Sequence, residues 1–247
     1  MQSDSKLLAG NRHDATSEQI GVEYLIVDFP EVVVKCAQCG PSGSRSGSAN
    51  DTAADFLKRK IRAVVKNPQT AQALADMLWT VYSCPLPVVG RLQGDCYAGG
   101  MGLAAACDVL VAADGLHFCL SEARLGLLPA TIGPYVLRSL GEQASRRYFV
   151  TAERFSAAEA HRLGFVHELC APDQLDARVD AIVQALVDNG PAAVKACKQL
   201  VQDVAGQPIT VALREDTARR IADIRASAEG REGVQAFLHK RSPSWRP

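Results

Sequence analysis

The sequence predicts an α/β fold, a parallel β-sheet covered by helices and followed by a C-terminal region that is all helix. Three observations carry this. Short runs of β-branched and aromatic residues alternate with helical patterns through much of the chain, the order that requires crossover connections and a parallel sheet. Beyond Ser156 the apolar residues recur at helical steps. Hydrophobic residues make up 47% of the 247 residues against 22% charged, enough to bury a sizeable core. On this reading residues 1–155 form the sheet-based core, and 156–247 form a helical region suited to oligomerisation.

The elements follow in order. GVEYLIVDF (21–29) and EVVVKCA (31–37) read as strands. GPSGSRSGSANDT (40–52) has no apolar periodicity and reads as a loop, either a plain linker or a ligand-covering lid. Phe56, Leu57, Ile61, Val64 and Val65 recur as on a helix until Pro68 interrupts. TAQALADMLWTVY (70–82) is a second helix, stopped by Pro85 and Pro87. PVVGRL (87–92) is a buried strand, LAAAC (103–107) a helix apolar on every side, and VLVAA and LHFCL (116–120) two further strands. Downstream, SAAEAHRLGF (156–165) carries a Ser N-cap and a terminal Gly. DQLDARVDAIVQALVDN (173–189) is amphipathic, and PAAVKACKQLVQDV (191–204) opens with Pro in its first turn. PITVALREDTARRIADIRAS (208–227) is one more helix.

Charge and composition exclude several function classes. Lys and Arg number 27 and Asp and Glu 27, so no basic field draws in nucleic acid. No apolar run approaches the roughly 20 residues of a membrane helix, and the polar N-terminus lacks the apolar centre of a signal peptide. The expected location is therefore cytoplasmic. The eight cysteines lie mostly in apolar runs, as buried free thiols do in a reducing compartment. Cys36 and Cys39 alone form a C-x-x-C, with no second pair or nearby histidines to complete a zinc site, so no metal is expected.

Two places could carry chemistry. Gly99 and Gly100 lie between a strand and a buried helix. There a backbone can approach a ligand closely, and unpaired amides at a helix start can hold a developing oxyanion. A tight structural turn would look the same. Glu122, in LHFCLSEARLGLLP, is flanked by apolar residues. It reads either as a surface acid paired with Arg124 or as a general acid/base raised in pKa by an apolar wall. Asp95 and Tyr97 could orient water or be structural, and Asp108 reads as a tie in the core. His161 and His167 read as surface histidines. Lys195, Lys198 and Lys240 read as solvated, with phosphate contacts as the sharper alternative.

AGGMGLAAACDVLVAAD followed by FCLSEARLGLLPATIGPYVLRSLG resembles the central signature of the enoyl-CoA hydratase/isomerase (crotonase) family. RRYFVTAERFSAAEAHRLGFVHEL and the closing EGREGVQAFLHKRSPSW resemble its C-terminal half. The resemblance runs from Pro85 to Trp245. It implies a spiral of ββα turns, a homotrimer or dimer of trimers, and an acyl-CoA substrate that brings its own coenzyme A, with no other cofactor. It implies that the thioester oxygen sits between two backbone amides, one of them Gly99. The family's paired glutamates fall at positions 102 and 122, here Gly102 and Glu122, so one carboxylate is missing. The substrate-contacting positions implied are Ala98, Gly100, Gly102, Cys39, Leu128 and Pro129. Cys39, in CAQCGPSG, stands where the second amide is expected, with Gln38 in place of the usual glycine.

Glycine at 102 together with the segment around Glu122 most resembles the branch acting on methylglutaconyl-CoA and related carboxylated enoyl-CoAs, which serves leucine and acyclic terpene breakdown. The expected function is thus reversible hydration of a 2-enoyl-CoA, with Gly102 making room for a branched or carboxylated acyl group. Double-bond isomerisation or decarboxylation on the same scaffold is the alternative enzyme reading. A crotonase-like binding protein is the non-enzyme reading, suggested by the missing acid and the atypical N-terminal third.

Overall fold

A computed structural model describes residues 25–28, 32–36 and 71–246. The expected Gly/Ser-rich loop over 40–52, the helix around Phe56–Val65, and Cys39 lie outside the described residues.

The first sheet is built from β1 (Leu25–Asp28), β2 (Val32–Cys36), β3 (Val88–Leu92), β5 (Val109–Ala113) and β8 (Glu168–Cys170). β3, β5 and β8 run parallel, with Val89 opposite Val109 and Val111 opposite Glu168. β1 and β2 pair antiparallel with each other and both meet β3. Continuous apolar runs such as VLVAA suit strands covered on both faces, and Leu110, Val111, Ala112 and Ala113 are all buried. A smaller sheet joins β4 (Cys96–Tyr97) parallel to β6 (His117–Cys119) and β6 antiparallel to β7 (Phe155–Ser156). β8 was not legible in HELC, a short, half-buried edge strand with no alternation to mark it.

Helices cover these sheets: α1 (Ala71–Tyr82), α2 (Gly99–Ala105), α3 (Gly133–Leu140), α4 (Glu142–Thr151) and α5 (Ala157–Arg162), then α6 (Leu175–Val187), α7 (Pro191–Val204), α8 (Val211–Ala226) and α9 (Ala228–Leu238). The expected α/β core with a helical C-terminal region is the observed one. α6 buries Leu175, Val179, Val183 and Val187, one face at four-residue spacing, and packs on β5 and β3. Capping follows the sequence signals. Ser156 accepts from the Glu159 N–H at 3.2 Å, and Gly164 adopts φ +79° just past the end of α5. α7 is capped from elsewhere: Glu229 of α9 accepts from the Ala192 and Ala193 amides at 2.9 and 2.8 Å. That charge at a helix start ties two C-terminal helices together.

The helix expected at 103–107 starts earlier, at Gly99. Glycine opposes helix in isolation, but Met101 to Ala105 are buried, and this tertiary packing outweighs the propensity of three glycines. A cluster of rings backs the smaller sheet. Phe118 meets Phe155 at 5.5 Å and Phe165 edge-on at 5.3 Å, and Tyr148 stacks on Phe155 at 4.1 Å. Pairs of this kind contribute about 0.5–1.5 kcal/mol each beyond area burial. Among the described cysteines Cys84, Cys96 and Cys119 are buried, and Cys197 is exposed on α7. No described helix is long and apolar enough to cross a membrane, and no described group of three metal-ligating side chains converges.

Candidate active site

β4 and β6 lie side by side and run the same way, Cys96 opposite Phe118 and Tyr97 opposite Cys119. Continuing that register by one residue, the Ala98 N–H donates to the Cys119 carbonyl at 2.9 Å. The turn after β4 and the turn after β6 therefore emerge at the same end of the smaller sheet. The first carries Ala98, Gly99 and Gly100, and the second carries Glu122. Two short parallel strands thus bring turns from separate stretches of sequence to one end of the sheet.

Ala98 adopts φ 47°, ψ −118°, a conformation glycine takes freely and alanine does not. Holding it costs about 1–3 kcal/mol, met by the buried helix that follows. The twist reverses the chain directly into α2, whose first bond runs from the Gly102 N–H to the Ala98 carbonyl at 3.3 Å. The amides of Gly99, Gly100 and Met101 precede that ladder and are oriented by it. A Cβ at Gly99 would meet nothing within 4 Å, so open space lies beside the first amide.

Glu122 lies in a 3₁₀ turn, Ser121–Leu125, ended by Gly126 at φ 70°. Its Oε2 is buried and has no hydrogen-bond partner among the described residues. Arg124 is exposed and forms no ion pair with it, so the surface-pair alternative is set aside. Burial pushes the Glu122 carboxyl above its ordinary range, and a hydrogen bond from its own backbone pulls it back only in part. An unpartnered buried carboxyl oxygen is costly in a fold and useful in a proton transfer.

Gly102 corrects one expectation. A Cβ placed there would fall 2.6 Å from the Cβ of Ile132 and closer still to its Cγ2. Ile132 is 2% exposed. The missing side chain at 102 thus makes room for Ile132, not for an acyl group. Sequence reasoning passed over Ile132 because one β-branched residue before Gly-Pro carries no signal of its own. Pro129 is buried, whereas Leu128 is 74% exposed along with Leu125 and Leu127.

Asp95 and Tyr97 are occupied structurally. The Asp95 carboxylate accepts from the Tyr97 hydroxyl at 2.8 Å, the His117 N–H at 2.7 Å and Arg154 at 2.9 Å, linking β4, β6 and the approach to β7. Burial would raise the Asp95 carboxyl, but these donors hold it below its ordinary value. Asp108 is the expected core tie: it accepts from the Val88 N–H at 2.7 Å and pairs with Lys198 at 2.6 Å. Lys198 is no solvated lysine, because its side chain is 8% exposed and it also donates to the Leu86 carbonyl. His161 is on the surface as expected. His167 is exposed as expected too, and its Nδ1 accepts from the Leu110 N–H at 3.0 Å, alongside β5.

The profile of the enoyl-CoA hydratase/isomerase family matches residues 53–247. Among curated proteins, carnitinyl-CoA dehydratase of Salmonella typhi is 31% identical over 173 residues, 68% of this chain and 66% of that protein. Enoyl-CoA hydratase ACTT6 of Alternaria alternata is 30% identical over 70% of this chain, which spans 58% of its length. Among solved structures, an enoyl-CoA hydratase from Shewanella pealeana superposes with a TM-score of 0.69 at 37% identity, covering 77% of this chain and 72% of that one. Pseudomonas aeruginosa AtuE gives 0.69 at 35% identity, over 78% and 75%. The crotonase-like architecture expected from the resemblance is the one these structures share.

Proposed function

We propose that this chain, which belongs to the enoyl-CoA hydratase/isomerase family, adds water reversibly to a 2-enoyl-CoA with Glu122 as its single acid/base. The observation that carries the reading is the buried, unpartnered Oε2 of Glu122, brought by the β4–β6 pairing to the same end of the sheet as the Gly99 turn. In this mechanism the thioester oxygen lies against the Gly99 amide. Water bonds through oxygen to Cβ, and the π electrons of the C=C bond move into the thioester as an enolate. Protonated Glu122 gives its proton to Cα; one proton of the added water then restores Glu122, and the other stays on the new β-hydroxyl. One oxyanion donor contributes about 10²–10³-fold and a positioned acid/base about 10²–10⁴-fold. The second donor, expected at Cys39, lies outside the described residues.

The finer substrate reading, a branched or carboxylated methylglutaconyl-type acyl group, is supported by the sequence resemblance around Glu122 alone, because Gly102 offers no free volume. Homotrimer or dimer-of-trimer assembly belongs to the same proposal. Exposed apolar side chains on the C-terminal helices, Phe237 at 83% among them, favour a partner surface. Isomerisation or decarboxylation uses the same enolate, and the absence of a second carboxylate at 102 favours it as the competing reading. Mass analysis of products separates the two, since only hydration adds water.

The decisive experiment is Glu122→Gln assayed by loss of enoyl-thioester absorbance over an enoyl-CoA panel that includes 3-methylglutaconyl-CoA. Turnover should drop about 10²–10⁴-fold with acyl-CoA binding retained. The wild-type rate should titrate with an inflection above the ordinary carboxylate range. A Gln variant with undiminished turnover removes Glu122 from the chemistry.

A further inference from the structure

Gly102 and Ile132 act as one unit. Gly102 lies three residues beyond Gly99 on α2, and positions three apart share a helix face. Whatever stands over Gly102 therefore stands within one helical turn of the amide that meets the thioester oxygen. That neighbour is Ile132, the residue immediately before α3, with its side chain sealed against the Gly102 backbone. Its position is held: the Ile132 carbonyl accepts from the Tyr135 and Val136 amides, both at 3.1 Å.

We propose that Ile132 is the specificity-determining residue of the acyl site, closing it with branched hydrocarbon at the point where a side chain on residue 102 would otherwise project. The proposal rests on the acyl-CoA reading of the site. Ile132 is almost wholly buried, so no water or polar acyl substituent has room there. The site then takes enoyl groups that are small and apolar on the side facing α2, and any carboxylate on the acyl group must point away from Ile132. Shortening Ile132 opens a void beside the reacting carbons and relaxes that limit. A single methylene in an apolar pocket discriminates by about 10–200-fold, which sets the effect to look for.

The test compares wild type, Ile132→Ala and Ile132→Val on crotonyl-CoA and on derivatives of it that carry an additional methyl, ethyl or propyl at the β carbon. Calorimetric binding of the corresponding saturated acyl-CoAs is measured in parallel. Ile132→Ala should raise kcat/KM for the propyl compound relative to crotonyl-CoA at least tenfold. Ile132→Val, which keeps the core intact, should shift the ratio in the same direction by less. A merely structural role lowers all substrates together, and an unchanged ratio in both variants overturns the proposal. Wild type that binds the saturated ladder but turns over nothing defeats the hydratase reading, while the binding ratios still decide the role of Ile132. Wild type that binds no acyl-CoA defeats both.

Discussion

Adding a single methyl at Gly102 should destabilise the protein, and the loss should depend on Ile132. In Gly102→Ala the new Cβ would sit 2.6 Å from Ile132 Cβ, about an ångström inside ordinary carbon–carbon contact. Ile132 cannot retreat easily, being buried and held through its carbonyl to the first turn of α3. Overpacking of this kind costs about 1–3 kcal/mol. Alanine in a helix returns up to about 1 kcal/mol relative to glycine, leaving a net loss of about 1–2 kcal/mol. Ile132→Ala removes the nearest crowding atom, Cγ2, and leaves the remaining Cβ room to shift into the vacated space; by itself it costs about 2–5 kcal/mol as a cavity mutation. The double variant should then be less destabilised than the sum by about 1–2 kcal/mol. Urea unfolding of the four proteins measures the cycle. Additivity within about 0.5 kcal/mol would show that the two residues do not share this space, and the reasoning about the site would fail with it.

Two further predictions test the frame around the site. Lys198→Met keeps the apolar stem but leaves Asp108, whose side chain is 29% exposed, without its counter-charge. The loss should be roughly 2–3 kcal/mol, below the full cost of breaking a wholly buried pair. A stability unchanged in urea would mark the pair as dispensable. His167 supplies the second: burial depresses its pKa, against the nearby Asp108 and Glu168, and its bond from the Leu110 N–H needs a neutral Nδ1. The folded state thus holds the proton less tightly than the unfolded chain. Its contribution is complete above the unfolded value of about 6.5 and is lost as pH falls from there toward the depressed folded value. His167→Asn, whose carbonyl can accept the same bond without titrating, should flatten that part of the stability–pH curve, and a curve identical to wild type would dismiss the assignment.

What was legible in the sequence was what local chemistry writes there. Ser156 and Gly164 bracket α5 because a hydroxyl and a positive φ are local demands. Pro191 opens α7 for the same kind of reason. VLVAA reads as a buried strand because nothing in it tolerates water. Gly99 and Glu122 were each identifiable as unusual and the family resemblance set them in one site, but the means of bringing them to one end of the sheet, the parallel pairing of Cys96–Tyr97 with Phe118–Cys119, was not legible. The misreading of Lys198 has the same origin. Lys198 looked like one more charge on an amphipathic helix, and only the approach of α7 to the start of β3 reveals Asp108 waiting for it. His167 is on the surface as its context suggested, but its bond from a backbone amide is one that no sequence pattern displays.

The same logic bears on the missing carboxylate. Read from sequence alone, glycine at 102 is a subtraction, a lost acid that leaves either free space or a crippled site. In the fold it is half of an exchange, in which side-chain volume moves from α2 to the residue ahead of α3 and changes from polar to apolar on the way. An inert relic would have no reason to keep a buried carboxyl oxygen unpartnered at Glu122 or alanine in a glycine conformation at Ala98, both of which cost stability. Costs retained beside a repacked wall are what a working site with altered selectivity requires. They favour an enzyme that runs on its one remaining carboxylate over a binding protein that no longer uses it.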